Sequence, residues 1–478
     1  MNKLQIKKTL LLAIGLCLSN LVVLARSGGG GGHGGGGHSG GGGGHGGGFG
    51  GGGFGGGGDL GITSIIIIII IIILISRASK ARGAGGSGGV LDTLFEGGSE
   101  DNQVQFAERN IQALPFPEGL TREKVVTSFM EMQKAWQEQD LSNVRKWISD
   151  GVYQRYIAQF AMMKQLNQKN YLSNIQISDI TVTNIANDGN YQTADVAISF
   201  SMNDEFLSDK YPAFNESFMG DSDTEYWTYI KRSDAKAHSV DLYHTNNCPN
   251  CGASLENNLG EVSRCSSCNT LTNNAEYDWI LSEVTQADDY STASESILLE
   301  DEHLKELVKN DPLFSIQRME DIASNVFMQI MDVMTENNTK KLSRFATPEI
   351  AAKILQMKAN MGSFVFDRLY LNDVTLSNYD TDNDKLNLSF DMIASYQRIQ
   401  IGDRLRMLDG EISTHQFSIV LSKDLAALNK PAKEIAFSYE CANCGAPYND
   451  TTNDTCSYCD APVVDTSKNW VLTRFNAY

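Results

Sequence analysis

Eight cysteines offer the clearest chemistry in this 478-residue chain, because they occur as four Cys-x-x-Cys pairs. The pairs form two quartets: Cys248, Cys251, Cys265 and Cys268, then Cys441, Cys444, Cys456 and Cys459. Two pairs separated by a short loop typically surround one Zn²⁺ with four thiolates. The spacing therefore predicts two zinc ions, each in a zinc ribbon, at residues 245–272 and 438–463.

Each predicted zinc is expected to be structural, because four thiolates leave no coordination position for water or substrate. Gly252 and Gly445 follow a second cysteine and permit the tight turn that directs backbone amides at sulfur. Zinc would fold a short segment that buries too little surface to fold alone. Disulfides, free thiols and redox pairs are the alternatives, and the recurrent spacing favours zinc.

Catalytic constellations are hard to find elsewhere. Beyond residue 83 the histidines are His238, His244, His303 and His415, and none lies in a recognisable hydrolase, metalloprotease or phosphate-loop motif. His244 lies four residues before Cys248, so it either supports the metal site or faces solvent, the latter being favoured. We predict no catalytic or cofactor-binding residue, and we expect the protein not to be an enzyme.

The charge distribution narrows the choice of partners. The chain has 39 basic and 58 acidic residues and a net charge of −19. Because residues 1–82 hold seven of the basic residues and one acidic residue, the remainder carries a net charge of −25. Such a body repels phosphate backbones and anionic lipid surfaces, although a local basic patch can escape this average. Nucleic-acid binding is therefore disfavoured.

The N-terminal segments are typical of export. Residues 1–26 combine basic residues with an apolar core, which predicts a signal peptide or an uncleaved first membrane helix. Residues 27–59 are almost pure glycine and are expected to be a disordered spacer. Capture of a metal by His33, His38 and His45 is the alternative for this spacer.

A membrane anchor is predicted at residues 60–76, which include nine consecutive isoleucines. Seventeen helical residues span about 25 Å, slightly less than the hydrocarbon core of a bilayer. Arg77, Lys80 and Arg82 follow this stretch, so the positive-inside rule places the C-terminal body in the cytoplasm, at the cell (inner) membrane. Thiols stay reduced there, which again disfavours disulfides. Residues 77–119 are predicted to be a linker.

The remaining sequence contains an internal duplication. Three matched pairs recur in order at offsets of 194, 193 and 191 residues: Asp179 with Asp373, Cys248 with Cys441, and Trp279 with Trp470. This predicts two domains, 120–287 and 313–478, joined by an acidic linker helix within 288–312. The two aspartates are expected to cap turns before strands. The two tryptophans are expected to pack in the core, with a ligand pocket as the alternative.

Each copy is predicted to run helices first and strands later, which indicates an α+β fold. In the first copy, apolar residues from 125 to 136 share one helical face, a second helix follows Asp140, and a third covers 153–163. The predicted strands are 175–183, 194–202, 225–231 and 279–284, and in the second copy 374–378, 385–395, 415–422 and 470–475.

Three motifs in the first copy carry a family resemblance. Residues 129–136 (FMEMQKAW), 140–145 (DLSNVR) and 149–156 (SDGVYQRY) resemble the Tim-forty-four-like domain. That domain belongs to the scaffold subunit that tethers the mitochondrial protein-import motor to the inner membrane. Bacterial relatives with a signal, a Gly-rich segment, a membrane helix and this domain have a similar layout. The duplication, the inserted ribbons and the lack of a mitochondrial targeting peptide depart from the family pattern.

The resemblance implies two tandem nuclear-transport-factor-two-like cone domains, in which helices pack on a curved antiparallel sheet around an apolar pocket. It also implies a membrane-anchored scaffold or adaptor in protein transport, with protein partners at the cytoplasmic face and the bilayer bound through residues 60–76. One alternative is a small-ligand-binding protein or enzyme that uses the cone pocket and needs a buried polar pair there. A second alternative is a structural protein of the cell envelope, in which residues 28–58 carry the function.

Overall fold

The computed structural model covers part of the chain. It describes residues 24–25, 31–32, 113–235, 241–255, 259–287, 289–290, 301–335, 339–402, 404–428, 430, 434–448 and 454–478. The chain divides into two compact units, residues 1–34 with 94–478 and residues 35–93, and every element below belongs to the first. The predicted anchor at 60–76 lies outside the described residues. Among the described residues, no helix is both long and apolar enough to cross a membrane.

The first repeat contains two helices and a four-stranded antiparallel sheet of order β3-β4-β5-β6. A separate short antiparallel pair, β1 (Leu24–Ala25) and β2 (Gly31–Gly32), precedes it. The elements of the repeat are α1 (Arg122–Glu138), α2 (Asp150–Gln165), β3 (Gln168–Asp188), β4 (Tyr191–Ser208), a 3₁₀ turn (Pro212–Phe214), β5 (Glu216–Arg232) and β6 (Ile280–Gln286).

Helix α3 (Glu302–Val308) lies in the predicted linker, and the second repeat then has the same layout as the first. Its elements are α4 (Ile316–Thr335), a 3₁₀ turn (Thr339–Arg344), α5 (Pro348–Met361), β7 (Val365–Asp382), β8 (Lys385–Gln400), β9 (Arg406–Met407), β10 (Ser413–Asp424), α6 (Leu425–Leu428) and β11 (Val471–Ala477). The sheet has the order β11-β10-β8-β7, and β9 pairs with β8. The predicted α+β class, with antiparallel sheets and helices, is confirmed.

Local sequence explains where the helices begin. Thr121 accepts a hydrogen bond from the amide of Lys124 at 3.2 Å, and Ser149 accepts one from Val152 at 3.1 Å. Each side chain satisfies one of the amides that a helix leaves unpaired at its N-terminus. In the second repeat, Thr347 occupies the corresponding position before α5.

The last strand of each repeat makes the same contact with the loop before the second helix. The amide of Leu281 donates to the carbonyl of Trp147 at 2.9 Å, and that of Leu472 donates to Phe345 at 2.7 Å. Both contacts belong to isolated parallel bridges outside the main ladders. The chain therefore returns to the same place in each repeat after the cysteine-containing segment.

Aromatic side chains fill the space between helices and sheet in both repeats. In the first, Phe129 lies 4.8 Å from Phe200, measured between ring centroids. In the second, Phe327 of α4 lies 5.0 Å from Phe417. Trp279 is fully buried and Trp470 is 7% exposed, so both tryptophans are buried, as the core interpretation expects.

The repeats exchange acidic helix caps. The amides of Ile316 and Gln317, at the start of α4, donate to Asp188 of the first repeat at 2.8 and 2.9 Å. In return, Asp321 of α4 accepts from the amide of Gly151, at the start of α2, at 3.0 Å. An acidic side chain therefore sits at the N-terminus of a helix in the other repeat and accepts from amides that the helix leaves unpaired.

Two details differ from the sequence-based expectation. Residues 142–147 form turns, and the predicted second helix there is wrong. Asp140 accepts a hydrogen bond from the amide of Ser142 at 2.9 Å, but this cap begins a turn.

The second difference concerns Asp179 and Asp373, which lie inside β3 and β7 and do not cap turns before strands. Each follows a β-bulge, where the pairing register shifts by one residue. Each carboxylate accepts a hydrogen bond from the threonine two positions later, at 2.6 Å from Thr181 and 2.9 Å from Thr375. Matching bulges therefore explain why aspartate recurs at these positions.

Candidate metal centres

The first quartet brings its four sulfur atoms together. The Sγ atoms of Cys248 and Cys268 are 3.6 Å apart, and those of Cys251 and Cys265 are 3.7 Å apart. All four Sγ atoms lie within 4.8 Å of one another. The cysteines come from two loops that are separate in sequence, each formed by one Cys-x-x-Cys pair and called a knuckle below.

The second quartet has nearly the same geometry. Its Sγ atoms are 3.6 Å apart for Cys441 and Cys459, and 3.8 Å apart for Cys444 and Cys456. A tetrahedral ion with Zn–S bonds of about 2.3 Å places its ligands about 3.8 Å apart. A disulfide would need about 2.05 Å. The eight cysteines are unpaired, and both quartets could hold a metal ion.

Backbone hydrogen bonds build the knuckles. In the first, the amide of Cys248 donates to Ala253 at 2.7 Å, and the amide of Gly252 donates back to Cys248 at 2.9 Å. The other three knuckles repeat this pair of bonds at distances of 2.7–2.9 Å. Each knuckle thus has a rigid backbone that presents two sulfurs on the same side.

The residue after the second cysteine of every pair has a positive φ. The angles are 76° and 77° for Gly252 and Gly445, in agreement with the predicted glycine turns. They are 60° for Asn269 and 54° for Asp460, which the sequence analysis missed. Asparagine and aspartate are the non-glycine residues that most readily adopt this conformation, so the signal was present in the sequence.

Polar groups contact the sulfur of the half-buried cysteine in each quartet. Asn250 donates to the Sγ of Cys268 at 3.7 Å, and Asn443 donates to the Sγ of Cys459 at 3.5 Å. The hydrogen bond with Thr270 lowers the pKa of Cys268 to about 6, and that with Asn443 lowers the pKa of Cys459 to about 6. These groups favour the thiolate, the form that binds metal. Sequence reasoning missed both asparagines, although each precedes a cysteine in a recurring Asn-Cys-Gly-Ala motif.

Burial acts in the opposite direction on Cys248, a buried cysteine of the first quartet. Burial raises the pKa of the Cys248 thiol to about 12. A cationic ion at the centre of the quartet would reverse this effect, because a metal deprotonates a coordinating thiol outright. The donor set and the spacing of the sulfurs fit an ion that carries positive charge into a partly buried site.

Arg145 attaches the first ribbon to the first repeat. Its buried guanidinium donates to the carbonyls of Gly260 and Glu261 at 3.0 and 2.9 Å. It also pairs with Asp150 at the start of α2 and lies 4.5 Å from the ring centroid of Tyr153. One side chain therefore links the ribbon, the 142–147 turns and a helix.

Lys146 provides a second attachment. Its ammonium donates to the carbonyl of Thr245 at 2.7 Å and also bonds to Asn246, just before the first knuckle. Burial lowers the pKa of Lys146. In addition, the hydroxyl of Ser263 donates to the carbonyl of Arg145 at 3.1 Å. The ribbon is thus bound on both sides of its loop.

The two ribbons also contact each other. Arg264 donates to Glu440 through two hydrogen bonds, the longer at 2.8 Å, and the Glu440 side chain is 5% exposed. Each of these residues immediately precedes a cysteine ligand. Next to the ion pair, Leu271 packs with Ala436 and Tyr439 in a small apolar cluster. The two candidate metal sites are therefore fixed relative to each other.

The histidines that the structure describes are not members of either quartet. His244 is largely solvent-facing, and its Nδ1 lies 2.9 Å from Asp241. His303 contacts the hydroxyl of Tyr379 at 3.2 Å. His415 is buried against Tyr396, and burial lowers its pKa to about 4. His238 lies outside the described residues.

A buried ion pair of the first repeat, Arg155 with Glu283, bonds to α4 of the second repeat. Arg155 lies 3.3 Å from Glu283 and donates to Ser324 at 2.7 Å. Gln317 donates to the other oxygen of Glu283 at 3.2 Å. This is the kind of polar pair that a catalytic pocket needs, but its atoms bond to other protein groups across the interface.

Comparison of the chain with protein-family models, curated proteins and solved structures gives no significant match. The eight cysteines and their surroundings are therefore the main basis for a functional assignment.

Proposed function

We propose that this protein is a membrane-anchored, non-catalytic scaffold or adaptor whose two ribbons each hold one structural zinc ion. One observation carries the proposal: two closed four-sulfur sites are attached to the repeats and to each other. The bridge from Arg264 to Glu440 gives the ribbons a fixed arrangement. A rigid pair of ribbons is suited to presenting a surface to another protein.

Zinc is the proposed ion because four thiolates in a tetrahedral arrangement suit it, and because its sites with four cysteines are structural. When bound, zinc would lock the two knuckles of each ribbon together. The eight cysteines leave no position open for a substrate or for a reactive water. The bonded state of the Arg155–Glu283 pair also favours a non-catalytic role.

The membrane anchor is proposed at residues 60–76, with a signal in 1–26 and a flexible glycine-rich spacer at 27–59. The acidic body would then lie in the cytoplasm. The resemblance of residues 129–136, 140–145 and 149–156 to Tim-forty-four-like domains supports a role in protein transport or membrane-associated assembly. The antiparallel sheet and packed helices in each repeat are compatible with the cone domains proposed here.

Crosslinking in native membranes tests this function. A photoreactive residue replaces Tyr458, which is 63% exposed at the tip of the second ribbon. We expect a discrete crosslink to another membrane-associated protein, recovered again from independent preparations. Replacing Cys441 and Cys444 by serine should abolish the crosslink, since the knuckle would lose its geometry.

The matched control places the photoreactive residue at Tyr171, a 48% exposed position in β3 that is remote in sequence from both ribbons. It should not give the same product. Equal yields from both positions, or a product that survives the loss of the cysteines, would argue against a ribbon-based scaffold.

A further inference from the structure

A cavity of about 210 Å³ next to the second ribbon has a charge opposite to that of the surrounding protein. Its lining contains four basic side chains and one acidic side chain, namely Arg318, Lys423, Lys430, Lys468 and Asp311. Residues 83–478 as a whole carry a net charge of −25. A positive cavity in so acidic a body concentrates anions locally, because clefts focus the field of the charges that line them.

Three of these positive charges are available to a ligand. Lys423 pairs with Asp311 at 3.2 Å, so these two charges largely cancel. Among the described residues, no carboxylate lies within ion-pair distance of Lys430 or Lys468, and both side chains are exposed. Arg318 donates to the carbonyl of Leu313 at 2.7 Å and keeps its other donors.

One further carboxylate lies close by but faces another cavity. Glu434 lines the neighbouring cavity of about 80 Å³, which shares Arg318 as a wall. Its carboxylate lies 3.8 Å from Arg232 on that side. Burial raises the pKa of Glu434, whereas the neighbouring Arg318 acts to lower it. The net charge of the larger cavity therefore stays positive.

The rest of the lining is apolar and aromatic, with Phe314, Ile322, Phe437 and Trp470. The ammonium of Lys423 lies 5.7 Å from the ring centroid of Trp470. A volume of 210 Å³ is below the range of about 300–1,000 Å³ that is usual for drug-sized ligands. Size, charge and lining together select a small anion with an apolar body.

The cavity is also connected to the second metal site, because Ala442 lines it and directly follows Cys441. We propose that this cavity binds a small organic anion, a phosphate or carboxylate joined to an apolar ring, with the first knuckle of the second ribbon as part of its wall. This site is separate from the scaffold function proposed above. It lies at the edge of the core of the second repeat, to which Phe314, Ile322 and Trp470 belong.

Isothermal titration calorimetry of the full-length, detergent-solubilised chain with phenyl phosphate and with benzoate tests the proposal. Phenyl phosphate or benzoate, or both, should bind about tenfold more tightly than the two reference compounds. Inorganic phosphate lacks the apolar ring, and benzyl alcohol lacks the charge. Binding should weaken as salt is added, because the lysines are exposed.

The decisive variant is Lys430→Glu combined with Lys468→Glu, which should weaken binding by about tenfold or more. Lys134→Glu combined with Lys169→Glu, both at exposed positions of the first repeat, is the charge-matched control and should leave binding unchanged. Zinc content and circular dichroism establish that each variant is folded. Equal affinity in the double variant and the wild type, or no binding of phenyl phosphate and benzoate at millimolar concentration, would overturn the proposal.

A second comparison tests the contribution of the ribbon. Replacing Cys441 and Cys444 by serine should weaken anion binding more than replacing Cys248 and Cys251. An equal effect of the two cysteine variants would show that the ribbon does not form part of the site. None of these titrations depends on the protein partner, so the two proposals can fail separately.

Discussion

At the scale of single residues, the geometry of the two metal sites depends on the backbone φ angles of the knuckles as much as on the cysteine sulfurs. Gly252 has a φ of 76°, and a Cβ built there would meet no atom within 4 Å. Any cost of a larger residue would therefore come from backbone strain alone, and not from a clash. Gly260 lies in the same ribbon, also has open space around it, and lacks a positive φ.

This pair makes a matched test. Gly252→Ala should destabilise the metal-bound protein by about 1 kcal/mol, because alanine is strained in the left-handed region. Gly260→Ala should change stability by much less. Urea unfolding of both variants in excess zinc is the measurement. A larger loss for Gly260→Ala would show that the knuckle turn is not the controlling feature.

A second residue-scale prediction concerns Asp321, which caps α2 from the other repeat. Burial raises the pKa of Asp321 to about 7, well above the usual value for aspartate near 4. The folded state therefore binds this proton more tightly than the unfolded state does. Its contribution to stability is most favourable below pH 4, declines as pH rises from about 4 to 7, and is constant above.

Asp321→Asn removes this titration and keeps an oxygen that can accept from Gly151. The unfolding free energy of the wild type minus that of the variant should fall between pH 5 and 7 and then level off. The difference cancels the pH dependence of metal binding, since both proteins share the eight cysteines. Asp179→Asn, on the exposed part of β3, is the control. A difference that rises with pH would contradict the assignment.

At the scale of elements, the first ribbon is held by Arg145, whose side chain is fully buried. Arg145→Met should cost about 3 kcal/mol, because it removes an ion pair with Asp150 and leaves buried carbonyls unsatisfied. It should also speed zinc release from the first site. Chemical unfolding and transfer of zinc to a coloured chelator measure the two effects.

Lys134→Met provides the control for Arg145→Met, since it removes a positive charge from an exposed position of α1. If the two variants had equal stability and equal zinc release, Arg145 would not be the anchor of the ribbon.

Apolar periodicity was sufficient to predict the third helix of the first repeat, expected at 153–163 and found at Asp150–Gln165. Strand lengths were underestimated. The strand expected at 175–183 runs from Gln168 to Asp188, because its ends alternate buried and exposed polar residues that give no hydrophobic signal. Buried polar positions such as Asn170 are satisfied by tertiary hydrogen bonds, which are not visible in a local pattern.

In the candidate metal sites too, local sequence patterns predicted some features, whereas others depend on contacts between distant parts of the chain. The eight cysteines and the glycine turns follow from spacing alone, because both belong to short local motifs. The attachment of the ribbon does not, since Arg145 and Gly260 are 115 positions apart. A basic residue within a predicted helix does not indicate that its partner is a distant loop. The helix after Asp140 was predicted incorrectly for this reason.

At the scale of the whole molecule, the repeats are joined asymmetrically. Helix α2 of the first repeat packs on α4 of the second, whereas the counterpart of α4 in the first repeat is α1. The caps at Asp188 and Asp321, the bond from Arg155 to Ser324, and the bridge between the ribbons all cross this boundary. These contacts predict that the two repeats unfold as one cooperative structure.

Unfolding of the metal-loaded protein should consequently give a single transition. Differential scanning calorimetry and tryptophan fluorescence should report the same midpoint, because α2 and α4 would each lose an acidic cap if the repeats separated. Two separated transitions, each assignable to one repeat by hydrogen exchange, would show that the repeats are independent domains.

The metal content of the purified full-length chain tests the central claim most directly. Elemental mass spectrometry should find two zinc ions per chain, and one after Cys251→Ser with Cys248→Ser or after Cys444→Ser with Cys441→Ser. Less than one zinc per chain in the unmodified protein, or cysteines recovered as oxidised pairs, would contradict two structural zinc sites.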